Sequence, residues 1–421
     1  MGTLLNIWRI RSLRNNILFV MGVLVLFRLV AHIPVPGIDA SELSSVIQGN
    51  QFFGLLNIFS GGTLDTFSII ALGVAPYITS SIIFQLLGMI SPRLEELQKE
   101  EAGRQKMTQW TRIATVPLAV IQAYGLTVLL SQQLPSLAAS FVGWQILLVI
   151  LAMTAGTVFL MWLGELISER HIGNGISMLI FAGIIAGLPS FLQQTFLVFD
   201  RSDLITLVVF LLMVLVTIYA VVMTNEAQRN IPIQHARQIR GSRMLGSSTS
   251  HLPLRLLMAG VIPIIFAISI ILLPTTVGQF LVNAQTVWIR EVATLMLRFF
   301  NNQLVYGIFY FLLVFSFTYF YTAIIFKPEN VSENLQKQGA FIPGIRPGPP
   351  TAEYLTWVMN RILLAGALFL SLIAILPLVV QQFTGSANLV IGGTSILIIV
   401  AVVIDSIKQV DAQLTMHSYD A

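Results

Sequence analysis

The chain has 421 residues, of which 56% are apolar and only 10% charged, with a formal net charge of +4. Soluble domains carry about 25% charged residues, so a fold surrounded by water is excluded. The absence of cysteine also excludes disulfides, thiolate metal sites and cysteine nucleophiles.

A membrane-spanning helix needs about 20 mostly apolar residues. Ten such runs follow one another at 17–36, 68–90, 111–131, 144–167, 173–193, 203–224, 254–276, 303–326, 357–380 and 389–408. Barrel strands alternate between apolar and polar residues, and these runs do not. Backbone in lipid must satisfy its own hydrogen bonds, so the expected class is all-α and polytopic.

In chain order, Arg9, Arg11 and Arg14 precede the first run, which ends at Pro34-Val35-Pro36-Gly37 without a small-residue cleavage site. It therefore reads as a retained span. Next comes FGLLNIFSGGTLDTFSII at 53–70. It is too apolar for an ordinary loop and too short to cross before Ser60-Gly61-Gly62 breaks it. The stretch alone is compatible with a stub that merely packs or with a movable half-helix.

Every second loop is basic. Arg93, Lys99, Arg104 and Lys106 fall in 91–110, Arg229, Arg237, Arg240 and Arg243 in 225–253, and Lys327, Lys337 and Arg346 in 327–356. The alternate loops hold few cations: Arg201, then Arg290 and Arg298. This asymmetry puts both termini in the cytoplasm. Five runs lie on each side of the loop at 190–203, so the second half is expected to be inverted relative to the first. The halves are 1–193 and 194–421. Two cytoplasmic loops are long. The one at 225–253 opens with a strand-like NIPIQ, and the one at 327–356 carries Pro and Gly suited to a stiff projecting turn. Such loops suit a soluble partner.

Helix breakers recur inside the spans: Gly73 and Pro76, Gly173-Asn174-Gly175, Pro263, and Gly392-Gly393-Thr394-Ser395. Branched apolar residues follow them. Val74 and Ile78 share one helix face, as do Ile176 and Ile180. Facing a void, such residues form a constriction that excludes water; facing other helices, they are ordinary core.

Catalytic signatures are missing. The sequence holds no GxxxxGK[ST] phosphate cradle, no HExxH and no Ser/His/Asp set within a span, and no cofactor is implied. His32, His171, His235, His251 and His417 all lie at span ends or in loops. Arg28 is the one ionisable residue well inside a run, with Glu165 and Asp405 near run ends. A secondary transporter needs a midplane cluster of polar or ionisable ligands. An intramembrane protease needs a Ser/His or Asp pair at one depth. Neither is found.

Six stretches carry a resemblance. They are HIPVPGIDA (32–40), NIFSGGTLDTFSIIALGVAPYITSSIIFQLL (57–87), FLMWLGELISERHIGNGIS (159–177), STSHLPLRLLMAGVIPIIFA (249–267), GAFIPGIRPG (339–348) and IGGTSILIIV (391–400). Together they are similar to the SecY family, the central subunits of protein-conducting channels. The resemblance implies an hourglass of two five-helix halves. Its ring would be Val74, Ile78, Ile176, Ile180, Ile265 and Ile398. A plug over 55–62 would comprise Leu55, Leu56, Ile58, Phe59, Ser60, Gly61 and Gly62. A lateral gate between the second and third spans and the seventh and eighth would be lined by Thr79, Ser80, Ser81 and Gln85. Arg346, with Arg237, Arg240 and Arg243, would dock a SecA motor or a ribosome. Implied partners are SecE, SecG, polypeptides bearing signal sequences and an anionic lipid membrane. The implied location is the inner (plasma) membrane. The short tail after Lys408 and the unusual 225–253 loop extend that expectation to thylakoids.

Overall fold

A computed structural model of the chain describes residues 10–35, 57, 60–64, 66–133, 143–197, 204–235, 239–240, 243–244, 249–258, 260, 262–282, 285–384 and 387–420. The helices in chain order are α1 (Arg11–Ala31), α2 (Ala75–Ile90), α3 (Pro92–Lys99), α4 (Glu101–Gln133), α5 (Trp144–Ser168), α6 (Gly175–Leu197) and α7 (Leu204–Glu226). Four strands follow: β1 (Gln228–His235), β2 (Ile239–Arg240), β3 (Arg243–Met244) and β4 (Thr249–Arg255). Then come α8 (Ile262–Leu281), α9 (Val287–Asn301), α10 (Gln303–Ile325), α11 (Pro328–Lys337), β5 (Ala340–Phe341), α12 (Pro349–Thr384) and α13 (Ala387–Asp420). Each of the ten apolar runs falls on one of these helices. By length and composition six can cross a membrane outright, and 75–90, 175–189 and 211–226 are shorter apolar helices.

Boundaries differ from the sequence expectation where local chemistry overrides hydropathy. The run at 68–90 becomes helical only at Ala75, because Phe67 and Gly73 adopt positive φ and Pro76 sits in the first turn. Proline there lacks only an N–H that has no helical partner anyway. Residues 66–74 are instead mostly turn, and the buried side chains of Leu64, Phe67, Ala71 and Leu72 clamp the segment against α4 and α5. At Gly156 of α5 the approach is so close that a Cβ would fall 2.1 Å from the Ile69 carbonyl oxygen. The run at 254–276 starts late, at Ile262, because residues up to Arg255 belong to β4. The basic loop at 91–110 is mostly helix, as α3 and the start of α4. In the loop at 327–356, α11 and the start of α12 are helical, each opened by proline.

The helices pack in two sets. α1, α2, α4, α5 and α6 contact one another, as do α7, α8, α10, α12 and α13. The sets meet along two seams: α6 against α13, and α8 against α2 and α4. A large aliphatic cluster runs through both. Beyond one end of the bundle, β1 pairs antiparallel with both β4 and β5. This sheet covers a small core of Ile231, Leu254, Ile342, Leu355, Val358 and Met359. The two long loops thus form one body.

Candidate functional site

Val74, Ile78, Ile180, Ile265 and Ile398 are all buried in the large cluster, and Ile176 packs against it. They arrive from α2, α6, α8 and α13. Val74 caps α2 and Ile78 lies one turn on, while Ile176 and Ile180 occupy the first turns of α6. Both helices therefore begin near the depth of this aliphatic belt.

On the sheet-proximal side of the belt lies a cavity of about 140 Å³. Ile78, Ile176 and Ile265 form its floor, while Ser81, Gln85, Glu165, Asn174 and Ser177 supply polar walls. Asn174 orders its corner, its side-chain oxygen accepting from the Ser177 backbone N–H at 3.1 Å. On the other side of the belt, Gly61 rests on Gly183, about one turn further along α6. A Cβ on Gly183 would lie 2.0 Å from the Gly61 Cα. Gly61 and Gly62 take positive φ of 78° and 76°, a conformation that glycine adopts without steric cost. The turn is closed by the Gly62 N–H donating to the Asn57 carbonyl at 2.8 Å and by the Ser60 hydroxyl donating to the same oxygen at 2.9 Å. Ser60 is buried. Of the expected plug, Leu55, Leu56, Ile58 and Phe59 lie outside the described residues.

The four polar residues expected along the α2 slot separate. Thr79 lines an apolar cavity of about 280 Å³ between α2, α4 and α8. Ser80 is fully buried and donates to the Thr111 carbonyl of α4 at 2.8 Å, so it ties two neighbouring helices. Ser81 and Gln85 line a wide polar cleft of about 810 Å³ between α2, α3 and α4 on one side and α10 and α11 on the other. The Gln85 side-chain nitrogen donates to the Ser81 hydroxyl at 3.0 Å.

Arg346 is exposed at the tip of the 342–348 turn. Its carbonyl accepts from the Thr351 hydroxyl at 2.8 Å, and the Gly348 carbonyl accepts from Ser332 of α11 at 2.6 Å. The φ of 101° at Gly348 demands glycine. Nearby, Lys337 pairs with Glu333 at 2.8 Å, and that hydrogen bond holds the exposed Glu333 carboxyl below the usual range. Arg240 and Arg243 face each other across the β2–β3 pair, of which only the backbone is described; Arg237 lies outside the described residues.

Sequence reasoning missed three features. The shared sheet was visible only as the alternation in NIPIQ. The Arg112–Glu165 ion pair between α4 and α5 left no local signal. The contacts of the α13 extension, where Gln413 donates to the His171 carbonyl at 2.9 Å, lie more than 240 residues apart in the chain.

A family model described as SecY matches residues 68–407. The protein translocase subunit SecY of Streptomyces galbus is 42% identical over 432 residues, covering 98% of this chain and 97% of that one. Among solved structures, a SecY channel studied for a plug domain that stabilises the closed state overlays with a TM-score of 0.62 at 18% identity, covering 93% of this chain and 90% of that one. Canine Sec61 in a ribosome–channel complex overlays with a TM-score of 0.58 at 18% identity and the same coverage. At these identities the structures establish the fold: an all-α, polytopic membrane architecture.

Proposed function

The chain belongs to the SecY family, and from that premise we propose that it is the pore subunit of a protein translocase. It conducts unfolded polypeptides across the membrane and releases hydrophobic segments sideways into lipid. The observation that carries this reading is the aliphatic belt from four helices, with a polar cavity on one side and the glycine turn on the other. An apolar neck suits this task. It makes no hydrogen bonds that would favour one passing sequence over another, and hydrated ions find no replacement ligands in it.

In this reading residues 1–193 and 194–421 are two inverted halves. Val74, Ile78, Ile176, Ile180, Ile265 and Ile398 seal the resting pore, and the segment at 55–62 blocks its outer mouth. The seam where α8 meets α2 and α4 opens toward lipid. A signal sequence leaving water there gains about 25 cal/mol per Å² of apolar surface, so the slot sorts segments by hydrophobicity. The chain supplies no chemistry. SecA or a translating ribosome drives transport from the face bearing Arg346 and Arg240–Arg243. A rigidly framed guanidinium at Arg346 fits a phosphate or carboxylate of that partner. SecE and SecG complete the assembly in the inner membrane, in thylakoids too for a photosynthetic source, with both termini cytoplasmic.

A stalled secretory chain should crosslink to a photoprobe at Ile78 or Ile265. Crosslinks confined to outward-facing sites such as Leu368 and Leu372 would overturn the central route. Independently, Arg346→Glu should abolish motor-driven export in a protein that remains folded; an unchanged export rate would remove the docking role.

A further inference from the structure

The helix α9, between α8 and α10, has three faces rather than two. Ala293 is fully buried, and Ile289, Met296, Leu297 and Phe300 are half-buried with it toward the bundle. Leu297 and the Ala293 carbonyl sit over Gly278 of α8, within 3.3 and 3.6 Å of where its Cβ would be. A second face carries Arg290, Glu291 and Arg298, all exposed. Among the described residues neither arginine makes an ion pair. The third face is a stripe of Trp288, Val292, Leu295 and Phe299, exposed by 71, 42, 68 and 50%. Their spacing of four, three and four residues places them on one side of the helix. A water-bathed helix has no reason to expose such a stripe.

The stripe continues an apolar surface already facing outward: Leu273 and Val277 on α8, and Leu304, Ile308 and Leu312 on α10. Both helices span, and α9 joins them at the end opposite the β-sheet. We propose that α9 is an interfacial lipid-binding helix, lying in the boundary of the leaflet opposite the sheet. Its stripe enters the acyl chains and Trp288 sits at headgroup depth, as amphipathic rings do. Arg290 and Arg298 reach lipid phosphates. This accounts for two cations in a loop that the charge asymmetry would leave neutral. Because α9 is seated on Gly278, it also fixes the depth of α8 in the bilayer.

The absence of cysteine permits a direct test on the full-length chain with its accompanying subunits. Leu295→Cys, Phe299→Cys and Arg290→Cys each carry one environment-sensitive fluorophore in phosphatidylcholine vesicles doped with shallow-nitroxide lipid. The Leu295→Cys and Phe299→Cys labels should be quenched by nitroxide at least about threefold more than the Arg290→Cys label, as expected for the two sides of an interfacial helix. Aqueous iodide should give the reverse order. Iodide quenching all three labels equally would overturn the proposal. So would protection of the Leu295→Cys label from both quenchers, which would mean that a protein covers the stripe. The readout does not depend on transport, so it stands apart from the fate of the pore reading.

Discussion

The two seams between the helix sets are built differently. Where α6 meets α13, polar groups and close packing bind the sets. Gln413 donates to the His171 carbonyl at 2.9 Å, the Ser406 hydroxyl approaches the Met178 sulfur at 3.7 Å, and a Cβ on Gly173 would come within 3.1 Å of that hydroxyl. Where α8 meets α2 and α4, the seam encloses the apolar cavity of about 280 Å³. Ser269 and Thr276 of α8 turn their hydroxyls back onto their own helix, donating to Ile265 at 2.9 Å and Leu272 at 2.7 Å. Voids forfeit dispersion contacts, and no directional bond from these two residues replaces them. One seam is therefore tied by polar contacts that Ser269 and Thr276 do not supply to the other.

The largest test bridges the loose seam. Thr79→Cys combined with Ser269→Cys, linked by a short bifunctional thiol reagent, should lower export more than about tenfold by depopulating the open state. Export should recover when a cleavable linker is cut; equal export with the bridge intact would erase the functional contrast. Next, Gly183→Ala drives a methyl into Gly61. Overpacking of this kind costs about 1–3 kcal/mol. It should raise the resting ion conductance of reconstituted vesicles and lower the melting temperature of the closed protein. A smaller loss, about 1 kcal/mol or less, is expected for Ser80→Ala. The Thr111 carbonyl keeps its second donor, Thr115, at 2.7 Å. Denaturant midpoints should then separate Ser80→Ala from Ser81→Ala, which leaves stability almost unchanged. A modest loss is also expected for Lys408→Met, which removes the bond to the Asn225 carbonyl at 2.7 Å and a half-exposed pair with Glu226 at 3.0 Å. Exposed pairs of this type contribute about 0.5 kcal/mol and weaken with salt. The difference from the parent should shrink as ionic strength rises.

Hydropathy alone placed each of the ten apolar runs on a helix, because lipid leaves the backbone few alternatives; six of those helices are long and apolar enough to cross outright. It failed at 68–74. There the apolar residues serve a compact turn, and only Gly73 and Pro76 hinted at it. It also failed at 254–255, where β4 pairs with a strand some 20 residues upstream. Strand pairing is settled by distant partners, and no window of sequence contains them. For the candidate site, the aliphatic residues were legible through breaker positions and resemblance. The separation of Ser80 from Thr79 and Ser81 was not, since successive residues on α2 point in different directions.

The three-stranded sheet has a mechanical consequence. β1 continues directly from α7, β4 leads into α8, and β5 sits between α11 and α12. The antiparallel ladder ties these strands together, so in the docking reading a load at the Arg346 turn would reach α7, α8 and α12 jointly rather than one helix alone. The sheet would then act as a yoke.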